Sequence, residues 1–136
     1  MFHHKIAEIE GIGPDFVLKL QKADITTTEH LLDRARDPKR RSQLAGVTAI
    51  SEPLLTKWVA MADLMRVKGI SKPYSDLLLA SGVDSTDKLL TFEPKELVLR
   101  MEEQNKTKKL APDVPKVADV EQWLNELRTP EFALVK

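Results

Sequence analysis

The feature that most constrains this chain is that it repeats itself. Residues 9–32 read IEGIGPDFVLKLQKADITTTEHLL, and residues 67–90 read VKGISKPYSDLLLASGVDSTDKLL. The displacement is a constant 58 without a gap: Gly11 falls on Gly69, Ile12 on Ile70, Phe16 on Tyr74, Leu20 on Leu78 and Ile25 on Val83. Core types and turn types recur together, so what repeats is a folded unit. The match continues less closely, Asp37–Pro38 against Glu93–Pro94, then Leu55 and Trp58 against Val120 and Trp123 at a displacement of 65. The second copy therefore carries an insertion, which we place around Asn105–Pro112. A half of about 60 residues buries little surface alone, so two copies are expected to pack as one pseudo-two-fold domain over residues 1–136. Repeat 1 covers about residues 1–66, repeat 2 about 67–128, and a tail 129–136 that docks weakly or frays.

Apolar spacing and caps predict an all-α chain of about eight or nine helices. Pro14 suits a first helical position, and Phe16, Val17 and Leu20 share a face of a helix that Asp24 closes. Thr26 or Thr27 opens the next helix, Thr26 with Glu29 fitting a capping box, and Asp84 with Asp87 stands at the equivalent place in the second copy. Asp37 caps a helix beginning at Pro38. Ser51 opens what should be the longest helix, with Leu54, Leu55, Trp58, Val59, Ala62 and Met65 as its apolar stripe. Val117, Val120, Trp123, Leu124 and Leu127 form the last amphipathic face. The two tryptophans are expected in the core.

Composition removes several function classes. There is no cysteine, so thiolate metal sites, disulfides and cysteine nucleophiles are out. The three histidines, His3, His4 and His30, lack metal-ligand spacing. No phosphate-binding P-loop, dinucleotide fingerprint or nucleophile elbow occurs, and no catalytic residue, metal or cofactor is expected. No apolar run is long enough for a membrane span, and the start does not read as a signal peptide, so a cytoplasmic location is expected. Lys+Arg and Asp+Glu are both 21, giving no net charge and none of the surplus a strong nucleic-acid binder carries.

The turn Ile9-Glu10-Gly11-Ile12-Gly13, followed by Pro14, Val17 and Leu20, resembles the helix-hairpin-helix motif. Val17 and Ser75 occupy the position where that motif has a small residue. The whole chain resembles the family known as domain of unknown function 4332, on the stretches IEGIGP and LLTKWVAMADLMRVKGIS and the C-terminal tryptophan helix. The resemblance implies two tandem helix-hairpin-helix units. In DNA-binding relatives of that motif, the amides of the turn hold a backbone phosphate without reading sequence.

The charges divide the two hairpins. Gly11, Ile12 and Gly13 are flanked by Glu10 and Asp15, so hairpin 1 reads as structural. Lys68, Gly69, Ile70, Ser71 and Lys72 form the better candidate, a phosphate contact through the amides of Gly69, Ile70 and Ser71. Arg34, Arg36, Lys39, Arg40 and Arg41 form a candidate basic patch; Lys106, Lys108 and Lys109 lie in the expected insertion. Lys72 is the one lysine worth considering for lyase chemistry, and enzyme activity is not expected. The sequence reading therefore puts weak, sequence-nonspecific binding to a DNA or RNA backbone first. A protein-interaction or scaffold module that has lost the phosphate site is the alternative.

Overall fold

The computed structural model describes residues 3–134, and among them the fold is all-α. Nine α-helices follow one short 3-10 turn at Ile6–Glu8: α1 (Pro14–Lys22), α2 (Thr28–Ala35), α3 (Pro38–Thr48), α4 (Glu52–Leu64), α5 (Lys72–Ala80), α6 (Thr86–Leu89), α7 (Pro94–Lys108), α8 (Val117–Leu127) and α9 (Pro130–Leu134). The chain divides into two compact units, His3–Asp63 and residues 64–134.

Local chemistry sets most helix starts. Proline stands in the first two positions of α1, α3, α5 and α7, where a missing amide costs nothing. Asp37, Ser71 and Glu93 accept hydrogen bonds from the third helical amides, those of Arg40, Tyr74 and Glu96. Of the two threonines that could open α2 one serves as its cap, and the α6 cap falls one residue later than expected. Thr27, not Thr26, accepts from the His30 amide, and Ser85, not Asp84, accepts from the Lys88 amide. Thr26 is used elsewhere: its carbonyl accepts from the Ile6 amide, and its own amide donates to His30 Nδ1. A tertiary bridge thus chose between two adjacent threonines of equal local merit.

The longest helix is α7 with 15 residues, not α4 with 13. It runs through much of the expected insertion and stops at Lys109, which takes the left-handed conformation at φ 50°. Lys106 and Lys108 thus lie on the last turn of α7, where cations suit the negative end of the helix dipole. Asn105 brackets the following loop, its side chain accepting from the Ala111 amide and donating to the Ala111 carbonyl, each at 3.0 Å.

Each unit has its own core. In the first, Ile6, Ile9, Leu20, Ile25, Leu31, Leu44, Leu55, Trp58 and Met61 are buried. In the second, Leu64, Val67, Leu77, Leu78, Val83, Leu89, Leu97, Met101, Val120, Trp123, Leu127 and Phe132 are buried together. There α7 packs on α5 and α8, and α9 on α8. Arg66, also buried, lies 4.5 Å above the Phe132 ring and donates to Thr86 Oγ1 at 3.3 Å. Phe132 therefore holds α9 down by burial and a cation–π contact.

Candidate nucleic-acid interface

The two hairpins share one local geometry. Ile12 N–H donates to Ile9 O and Ile70 N–H to Val67 O, both at 3.2 Å. Gly11 and Gly69 have φ of +92° and +95°, a region L side chains avoid. The first helix of each copy ends alike too, with Ile25 N–H on Leu20 O and Val83 N–H on Leu78 O at 2.9 Å. A tryptophan lies against each turn: a Cβ on Gly11 would sit 3.5 Å from Trp58 Nε1, and one on Gly69 3.1 Å from Trp123 Nε1. Phe16 meets Trp58 edge-on at 5.0 Å, while Tyr74 is tilted against Trp123 at 6.1 Å. The tryptophans, 1% and 3% exposed, fill the space that the glycines leave.

The donors around the hairpins are disposed differently. In hairpin 2, Lys68 N–H donates to Glu126 Oε2 of α8 at 2.9 Å, and Tyr74 N–H to Ser71 Oγ at 3.4 Å. Ile70 N–H is committed to Val67 O. Of the three amides expected to hold a phosphate, Gly69 and Ser71 are thus the two with no hydrogen bond among the described residues. A carboxylate already sits beside them. In hairpin 1, Gly13 has no side chain to cap α1, and a Cβ there would meet nothing within 4 Å. The small-residue position differs as well: Ser75 is fully buried and donates to Lys72 O at 2.8 Å, whereas Val17 is half-buried.

Next to hairpin 2 is an open groove of about 460 Å³, lined by Lys68, Gly69, Tyr74, Asp119, Gln122, Trp123 and Glu126. Its α8 wall follows from helical spacing, because Asp119, Gln122, Trp123 and Glu126 stand at i, i+3, i+4 and i+7. The Tyr74 hydroxyl donates to Asp113 Oδ1 at 2.9 Å. Burial, then Asp113, then the charge of Asp119 push the phenol up to about 12. The surroundings of hairpin 2 are therefore acidic, although Lys68 and Lys72 flank the turn. The sequence reading missed Glu126 and Asp119. Helical spacing puts both on the Trp123 side of α8, but only the fold shows that this side lies at the hairpin.

The basic run serves helix ends. Arg34 Nη1 donates to Ala23 O at the end of α1 at 2.9 Å. Arg40 Nη1 donates to Asp33 O at 2.7 Å, and Arg41 reaches Ala35 O, Arg36 O and Thr56 Oγ1 at 2.8, 2.9 and 3.3 Å. These are the carbonyls that a helix leaves unpaired at its C-terminus. Arg36 pairs with Asp63 at 3.6 Å, and Lys39 is exposed. Guanidinium groups spent on carbonyls are held close to the backbone, where they have fewer donors to offer a phosphate.

Among the described residues no group of three His, Cys, Asp or Glu could hold a metal ion. No helix among them is long and apolar enough to cross a membrane.

Two glycine turns, each closed over a tryptophan, lie in a fold that is all-α among the described residues. The chain belongs to the family described as Domain of unknown function (DUF4332), whose model matches residues 10–129. No curated protein and no solved structure matches it significantly.

Proposed function

We propose that the chain is a non-enzymatic helix-hairpin-helix module that binds protein rather than nucleic acid. The observation carrying this reading is the Glu126 carboxylate, which accepts the Lys68 amide at 2.9 Å beside the amides a phosphate would need. A phosphate approaching Gly69 would meet that charge at close range, and Asp119 lines the same groove. Like charges in a partly desolvated site repel far more than they do in bulk water.

A second reading keeps the phosphate contact but moves it to hairpin 1, because Gly13 leaves the α1 terminus without a side-chain cap. Asp15 in the first turn opposes it. Fluorescence anisotropy with labelled duplex and single-stranded DNA at about 50 mM salt separates these readings. We expect no saturable binding up to about 50 μM, within the range usual for nonspecific contacts. Salt-sensitive binding that Lys72→Glu abolishes would overturn the protein-binding reading. Binding that appears with Asp15→Lys and ignores Lys72→Glu would favour hairpin 1.

A further inference from the structure

We propose that the groove between α8 and the Lys68–Tyr74 turn receives a basic side chain, lysine or arginine, of a partner protein. The proposal rests on the protein-binding reading above and supplies the chemistry of its partner. The groove combines two things a long cationic side chain needs. One wall carries the Asp119 and Glu126 carboxylates, and Tyr74 lines the groove beside them together with the small part of Trp123 that is exposed. An aliphatic stem packs on aromatic edges while its charged head reaches a carboxylate.

Both carboxylates are fixed before any ligand arrives. Asp119 Oδ2 accepts from the Lys116 amide at 2.9 Å, and Glu126 Oε2 accepts from the Lys68 amide at 2.9 Å. Each keeps its other oxygen for a ligand, so little side-chain entropy is lost on binding. Their residues stand about 10 Å apart along the helix axis, so the charged head meets one carboxylate while the other adds to the negative field. Asp113, held on the Tyr74 hydroxyl, adds to the negative field near the groove. The cation lining the groove is Lys68, and it competes with the ligand.

The first copy of the repeat has no such groove chemistry, because Met61 and Leu54 stand where Glu126 and Asp119 stand in the second. Met61 is fully buried. The acidic wall is therefore a property of one copy and is not required by the fold.

The test is an NMR titration of the ¹⁵N-labelled chain, following the Gly69 amide and the Trp123 indole N–H. The probes are the peptide acetyl-Gly-Arg-Gly-amide, its Glu counterpart, spermidine and inorganic phosphate. The arginine peptide should shift both signals, and the glutamate peptide neither. Asp119→Asn keeps the hydrogen-bond acceptor and removes the charge, so it should weaken binding about two- to five-fold, as for a partly exposed ion pair. Lys68→Gln removes the competing cation and should strengthen binding by a similar factor, about two- to five-fold. No shift with the arginine peptide, an Asp119→Asn variant that binds as tightly, or a Lys68→Gln variant that binds more weakly would each overturn the proposal. Spermidine binding more tightly than the peptide would overturn the protein partner in favour of a free polyamine. Phosphate shifting the Gly69 amide would instead overturn the protein-binding reading beneath it.

Discussion

Replacing three glycines by alanine tests whether an indole really closes hairpin 2. Gly11, Gly69 and Gly82 share nearly the same positive φ, +92°, +95° and +92°. They differ in what a Cβ would meet: nothing within 4 Å at Gly82, Trp58 Nε1 at an ordinary 3.5 Å at Gly11, and Trp123 Nε1 at 3.1 Å at Gly69. Left-handed backbone costs an L residue about 1–2 kcal/mol. Alanine returns about 0.4–1 kcal/mol by stiffening the unfolded chain. Gly82→Ala and Gly11→Ala should therefore each destabilise by at most about 1.5 kcal/mol. Gly69→Ala adds an overpacking cost of about 1–3 kcal/mol, because the indole is rigid and buried and must move by a few tenths of an ångström. Its total should reach about 1–4.5 kcal/mol. Urea melts followed by far-UV circular dichroism measure all three, compared by midpoint at constant slope. If Gly69→Ala and Gly82→Ala shifted the midpoint equally, the indole would not be closing the turn.

Two further predictions concern the helix ends and the acidic groove. Arg41→Ala should destabilise by about 1–3 kcal/mol through loss of charged hydrogen bonds to the end of α2. Arg41→Lys should recover little of this, because one ammonium cannot span Ala35 O, Arg36 O and Thr56 Oγ1; thermal melts of both variants beside Lys39→Glu, expected to be near neutral, check the contrast. Tyr74 is the only tyrosine in the chain, so absorbance at alkaline pH reports it alone. Its folded pKa, about 12, lies above the ordinary 10.0. Its contribution to stability is therefore complete below pH 10.0 and is lost as pH rises toward about 12. Asp113→Asn should lower the phenol midpoint without returning it fully, since burial is the larger cause; a midpoint unchanged by that substitution would mean the 2.9 Å hydrogen bond is not formed in solution.

The repeat, the helical class and the core were legible in the sequence because they are written in local rules. Glycine at a turn, proline at a helix start, and apolar residues every third or fourth position need no knowledge of the rest of the chain. Trp58 and Trp123 could be assigned to the core because equivalent positions of a duplicated unit share an environment. The cap positions were legible only to within one residue. Thr26 and Thr27 are the same residue type, and it was the Ile6–Thr26 hydrogen bond that decided between them.

The charges were the least legible part. Along the sequence, Arg34, Arg40 and Arg41 form a basic run, and Lys68 and Lys72 bracket the better hairpin. A long side chain can serve any unpaired backbone group within its reach, and which carbonyls come within reach is set by how helices end and pack. Folding brought those arginines to the ends of α1 and α2. It also brought Glu126, 58 residues away in sequence, onto the Lys68 amide. The sequence by itself determined that two glycine turns exist and that both tryptophans belong to the core. Tertiary structure decided which charges face them, because an electrostatic site is a sum over neighbours and most of those neighbours are distant in the chain.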